Sequence, residues 1–326
     1  MDKIDSKETS ERINQYLSSK LNWINEKSRK YIIDVIILIN KEIGINKILS
    51  ILLFGSQQAK GDYSPISDCD LLFIFKDRIS NHHLREIERY FIGLEIKHGF
   101  KDSSTKLTRS ILGVINYSTG MFISHFLTKK EFWEAAKFHK IFRVNKVFST
   151  IFAPRNIVLS NVIINSTLLY GEDLRNIIKP RINISVQEMF RSTVMNIFIC
   201  FFGILLTPRK QLNSIKYILE SIKWSLKASN YFCFKDSVEL KKIIERFIAL
   251  EKPNKRIKAE SYYSKFITLR KNPQNNIRFI MLSPIRILKM HIQAIAYRKM
   301  IKNIPYRIPT KFEEKIVDQR AFTLRY

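Results

Sequence analysis

Two aspartates one residue apart, Asp68 and Asp70, stand immediately before an aliphatic run from Leu71 to Phe75. Side chains alternate faces along an extended chain, so this spacing places both carboxylates on one side of a strand, roughly 7 Å apart, with Cys69 on the other. Carboxylates so placed repel each other unless a cation sits between them. Hard oxygen ligands of this kind suit Mg²⁺, which takes one or two carboxylates and completes its shell with water and substrate phosphate. A little earlier, the run Ile48 to Phe54 ends in Gly55-Ser56. Gly55 has no side chain to keep a phosphate from the backbone, and Ser56 offers both an N–H and a hydroxyl. A phosphate binder and a metal binder on adjacent strand ends are what phosphoryl or nucleotidyl transfer asks of a protein. Taken singly, Gly-Ser also reads as a plain turn and Asp-x-Asp as a solvated or capping pair. Together, in this order and each against an apolar strand, they favour the chemical reading.

The elements around these residues follow from periodicity. Helical patterning runs from about Ser10 to Ile43, with Ile32, Ile33, Val35, Ile36 and Ile39 near one stripe, and Gly44 closes it. Ser80 opens a helix on which Leu84, Ile87, Phe91 and Leu94 share a face. Arg109 to Asn116 and Met121 to Leu127 read as strands joined by a turn at residues 117–120, and Thr128-Lys-Lys-Glu131 matches a capping box. Beyond about residue 155 nearly everything scans as helix, which makes the chain α+β followed by all-α.

Leu53-Phe54-Gly55-Ser56, Lys60-Gly61-Asp62-Tyr63 and Ser67-Asp68-Cys69-Asp70-Leu71-Leu72 together resemble the signature of the nucleotidyltransferase superfamily related to DNA polymerase β, in particular its small prokaryotic and archaeal members. The resemblance is close over about 25 residues and looser over 28–175. It implies an N-terminal helix 1–27, a catalytic domain 28–175 with a small mixed sheet flanked by helices, and a basic helical region 176–326. It further implies that Gly55 and Ser56 hold a triphosphate, that Asp68 and Asp70 ligate Mg²⁺, and that Lys60 assists phosphate charge, although a solvated turn lysine reads equally well. The expected reaction moves a nucleoside monophosphate, with ATP the expected donor, to a hydroxyl acceptor and releases pyrophosphate. Gln57 stands where the family often has Arg. The family usually adds a third carboxylate on a later strand, and the two runs expected to supply it contain none. His125 or Asn116 occupies that region, with Asp102, Glu95 and Glu131 just outside it. Glu131 is accounted for by its capping box and Glu95 by the solvent side of its helix. A non-catalytic nucleic-acid-binding protein that keeps the fold is therefore the alternative. Leu169-Tyr-Gly-Glu-Asp-Leu174 also resembles a family segment, or simply opens a helix with acids at its positive end.

The chain has 326 residues, 56 Lys and Arg against 29 Asp and Glu, and a formal charge of +27. A hydrophobic share of 45% excludes a disordered basic tail. Cys69, Cys200 and Cys233 show no paired spacing, and the charged N-terminus lacks a signal peptide's apolar core, so a cytoplasmic, reducing setting is expected. Val194 to Leu206 is too short for a membrane span and reads as a buried helix. All nine glycines lie at or before Gly203, while residues 251–326 hold 18 Lys and Arg against five acids. In 185–250, Phe190, Val194, Phe198, Phe201 and Leu205 form one face and Ile215, Ile218, Ile222 and Leu226 another, both expected in a bundle core. Lys223 and Trp224 resemble the helical part of related nucleotidyltransferases. Pro284 to Asn303 carries an apolar stripe (Ile285, Leu288, Ile292, Ile295, Met300) among Arg286, Lys289, Arg298, Lys299 and Lys302. It reads as a bundle helix, an RNA or DNA contact, or a membrane-surface contact. Tyr262, Tyr263, Tyr297 and Tyr306 interleave with this charge as stacking on a single strand would require. Arg286 and His291 match a short Arg-x4-His spacing of a helical RNase family, which chance explains as well.

Overall fold

The computed structural model describes residues 15, 19, 21–55, 68–100, 124–179, 182–207 and 212–302. Ser56, Lys60, Asp102, the expected strand at 109–116, its turn, Asn303 and Tyr306 lie outside these residues.

The expected first helix is interrupted. Leu21 to Ile24 form a turn, and α1 (Glu26–Glu42) begins only after Asn25, whose side chain accepts from the Ser28 N–H. Such a cap satisfies an orphan donor and fixes the start of a helix. Gly44, at φ +91°, turns the chain into β1 (Ile48–Phe54). β2 (Asp70–Phe75) pairs antiparallel with β1, Phe54 standing opposite Asp70. Ser80 caps α2 (Asn81–Lys97), as its sequence indicates. β3 (His125–Lys129) lies parallel to β2, with His125 beside Leu71 and Phe126 beside Leu72.

The capping box at Thr128 is not formed. Thr128 and Lys129 are buried strand residues, and the following helix α3 (Lys130–Glu134) has no side-chain cap from them. Instead Asp77 accepts from the Glu131 N–H at 2.9 Å. The tertiary partner displaces the local one because β2 needs a parallel neighbour, which draws Thr128 into the sheet. Short helices α4 (Phe138–Ile141), α5 (Lys146–Ile151) and α6 (Arg155–Ile164) follow. The chain then returns to the sheet as β4 (Thr167–Gly171), a strand the sequence reading took for helix. It pairs antiparallel with the far side of β1 and completes a mixed sheet in the order β3-β2-β1-β4. Both faces of the central strands are covered. Ile51, Leu53, Leu71 and Phe73 face α1 and α2, while Leu52, Phe54, Leu72 and Ile74 pack with Trp133, Phe142 and Val162. Double coverage explains why β1 and β2 read as unbroken apolar runs.

After the short α7 (Arg175–Ile178) come α8 (Val186–Leu206), α9 (Leu212–Phe234), α10 (Leu240–Ala249), α11 (Pro253–Lys271) and α12 (Ile277–Lys302). α9 is the axis of this bundle, with Ile215, Ile218, Ile222 and Leu226 fully buried as expected. The face of α8 assigned to the core is turned outward: Phe190 is 66% exposed and Leu205 75%, with Phe198 and Phe201 also exposed. The buried face is Met189, Met195, Ile199, Cys200 and Phe202. α8 is apolar around most of its circumference, so periodicity does not fix which side is inward. By length and composition α8 and the stretch Ile277–Met300 could each cross a membrane, yet both pack in the bundle.

Tyr262 and Tyr263 belong to the bundle core, the Tyr262 hydroxyl hydrogen-bonding the Ser283 hydroxyl, and Tyr297 packs on Phe234. They are not free to stack on nucleic acid. Arg286 lies over the Tyr262 ring and Arg298 over Phe232, while Lys289 pairs with the buried Glu251. His291 is buried between the Ile287 carbonyl and the Ser192 hydroxyl, a structural role that leaves no Arg-x4-His site.

Candidate active site

The antiparallel pairing of β1 and β2 sets Gly55, at the end of one strand, beside Asp70, at the head of the other. Gly55 holds φ +80°, and a Cβ placed on it would meet Asp70 Oδ2 at 2.0 Å. The position therefore requires glycine twice, for its backbone and for the carboxylate that fills the space a side chain would take. The room that the sequence suggested for a phosphate is held by Asp70. Cys69 is fully buried on the α1 and α2 side, whereas Asp70 shares its face with Leu72 and Ile74, as strand alternation dictates.

Asp68 precedes the strand and accepts from Lys216 Nζ at 3.0 Å. Lys216 lies on α9, so the bundle supplies a cation to the strand head. Further along that helix Glu220 pairs with Lys223 and, from α11, with Arg270 at 3.5 Å. Burial raises both aspartates. Burial and the Asp68 carboxylate push Asp70 up to about 8, while Asp68 is raised by burial against the pull of Lys216. Burial also acts to raise Glu220, but Lys223 and Arg270 outweigh it and hold that carboxyl below its usual range. Lys216 and Glu220 are functional candidates that sequence reasoning missed, and Lys223, noted there with Trp224, joins them. The signal that could have found them is the charged i, i+4, i+7 line Lys216, Glu220, Lys223 on one side of α9.

Of the residues singled out in the sequence, the structure brings together Gly55, Asp68 and Asp70, while Ser56 and Lys60 fall outside its described residues. His125 faces away from this group. It is buried with Leu71 and Leu127 on the α2 side, where its Nδ1 meets Glu95 Oε1 at 2.8 Å and its ring packs edge-on to Phe91. Glu95, expected on the solvent side, is only 4% exposed. It is turned inward because His125 gives it a partner. Continuing the β2–β3 register by one residue puts Ser124 beside Asp70, and the Leu71 N–H donates to its carbonyl. Among the described residues no three His, Cys, Asp or Glu side chains gather as metal ligands. The Asp68–Asp70 pair nevertheless fits a divalent ion by its chemistry: two hard carboxylates, each raised by burial, with further places left for water and phosphate.

The chain is similar in structure to the spectinomycin adenyltransferase AAD(9) from Enterococcus faecialis, solved with ATP and spectinomycin. The likeness covers 82% of this chain and 98% of that one, at 9% identity and a TM-score of 0.47. At that level it carries nothing over to individual side chains. No family model matches the sequence, and no curated protein matches it.

Proposed function

We propose that the chain is a Mg²⁺-dependent nucleotidyltransferase, moving a nucleoside monophosphate from a nucleoside triphosphate, ATP in the first instance, to a hydroxyl acceptor. The observation that carries this reading is the meeting of Asp68 and Asp70 with Gly55 at adjoining strand ends, with Lys216 of the bundle reaching Asp68. In the reaction the acceptor oxygen attacks the α-phosphorus, the bond to the oxygen bridging the α- and β-phosphates breaks, pyrophosphate leaves and the hydroxyl proton passes to solvent water. Asp68 and Asp70 would hold the ion, which would neutralise phosphate charge and align the entering and leaving oxygens. Lys216, released from Asp68 when the ion binds, would meet the triphosphate. Gly55 keeps Asp70 close to the end of β1. Ser56 and Lys60 are proposed triphosphate contacts on the strength of the motif. The basic remainder of the chain gives a polyanionic substrate a favourable field.

Pyrophosphate release with Mg²⁺ and each nucleoside triphosphate, comparing wild type with Asp68→Ala and Asp70→Ala, tests this. Loss of activity by about 100-fold or more in both variants is expected for groups that position the metal. Equal background in all three proteins would sink the enzyme and favour a non-catalytic nucleic-acid binder. Ser124, standing where a third carboxylate would complete the site, is the observation on which that second reading rests.

A further inference from the structure

We propose that the outward face shared by α8 and α12 seats a second copy of this chain, packed helix against helix. The two helices are neighbours in the bundle, joined through His291 and Ser192. On α8 the exposed large side chains are Val186, Phe190, Phe198, Phe201 and Leu205, and on α12 they are Ile277, Met281, Leu282, Ile285, Leu288, Ile292 and Met300. All are between 43% and 75% exposed. With 150–250 Å² for each fully exposed phenylalanine and somewhat less for each aliphatic side chain, these exposures come to roughly 1,000 Å². A typical monomer's largest apolar patch is about 300–600 Å², whereas each partner in a standard interface contributes about 800 Å².

Two features favour helices of a second copy over a lipid surface. Phe198, Phe201 and Leu205 follow one another at intervals of three and four, and Met281, Ile285, Leu288 and Ile292 at four, three and four, all of them exposed. This is the spacing by which one helix sets side chains between those of another. Charge is also missing where an interface core would exclude it and where a surface helix on lipid would carry lysines along its margin. Gln187 is the one exposed polar residue described on α8, and the exposed charges described on α12, Arg278 and Lys299, stand near the ends of its stripe. Arg286 and Lys289 are instead turned toward Glu251.

Sedimentation velocity on the full chain over a concentration series tests the proposal. The wild type should sediment at twice 38.6 kDa. Phe201→Glu with Leu205→Glu, and separately Ile285→Glu with Leu288→Glu, should each weaken the dimer by about tenfold or more. Ile257→Glu, an equally exposed apolar position on α11, should leave it unchanged. Unaltered circular dichroism shows that the variants fold, which their solvent exposure favours. A wild type that stays monomeric throughout, or a dimer indifferent to both double variants, would overturn the proposal. So would flotation with phosphatidylglycerol vesicles that the same variants abolish, which would assign the face to lipid.

Discussion

Lys216 Nζ and Asp68 Oδ1 meet at 3.0 Å across 148 positions of chain, and this contact ties the bundle to the strand head that carries the carboxylates. With both side chains about four-fifths buried, the ammonium offsets part of the repulsion between Asp68 and Asp70. Lys216→Met removes that cation and should destabilise the metal-free protein by roughly 1–3 kcal/mol, the cost of leaving a largely buried acceptor without this donor. Added Mg²⁺ should then raise the melting temperature of the variant more than that of the wild type, since only the variant lacks an internal counter-charge. Equal Mg²⁺ shifts in the two proteins would show that the ion does not bind at these carboxylates.

Gly55→Ala sets a methyl group 2.0 Å from Asp70 Oδ2 at a backbone angle that side chains rarely adopt. The cost should be about 2–4 kcal/mol, part strain and part displacement of Asp70. Asp70→Ala relieves the clash but not the strain, so the double variant should be less destabilised than the two single effects combined. Denaturant titration of the four proteins measures the coupling, and strict additivity would contradict the contact.

Much of this arrangement is legible in the sequence, because it depends on local order. The apolar runs of β1 and β2, the Ser80 cap and the alternation that separates Cys69 from Asp70 are all decided within a few residues. β4 was not legible: Thr167-Leu-Leu-Tyr-Gly171 lacks alternation and follows the apolar helix α6, so only the vacant edge of β1 explains it. The inward turn of Glu95 depends likewise on His125, 30 residues away. The sequence points Phe190 and Leu205 to the core because α8 offers two apolar faces, and a hydrophobic period cannot choose between them.

The Glu95–His125 pair gives a further expectation. Both side chains are buried, so His125→Leu alone leaves a carboxylate without this partner and should cost about 3–5 kcal/mol. Glu95→Leu added to it should recover much of that loss. Urea midpoints of the single and double variants check this, and a double variant worse than both singles would argue that packing against Phe91 matters more than charge.

His291 provides a pH dependence. Burial depresses it to about 4, whereas an unfolded histidine titrates near 6.5. The folded state thus disfavours the proton that the unfolded state accepts. Stability from this group is complete above about pH 6.5 and is lost as pH falls toward 4, by up to about 3 kcal/mol. His291→Gln should flatten that part of the profile in denaturation curves taken from pH 7 to pH 4.5, and an unchanged slope would refute the assignment.

The return of the chain as β4 also bears on synthesis. β1 finds β2 within 16 residues but must wait for residues 167–171 to cover its other edge, and Asp68 must wait for Lys216. At roughly 5–20 residues per second the ribosome leaves β1 with an open, apolar edge for several seconds. The nascent N-terminal half thus carries its aspartates on a sheet with one edge still unpaired, and the contact that closes the strand head forms only once Lys216 has been made.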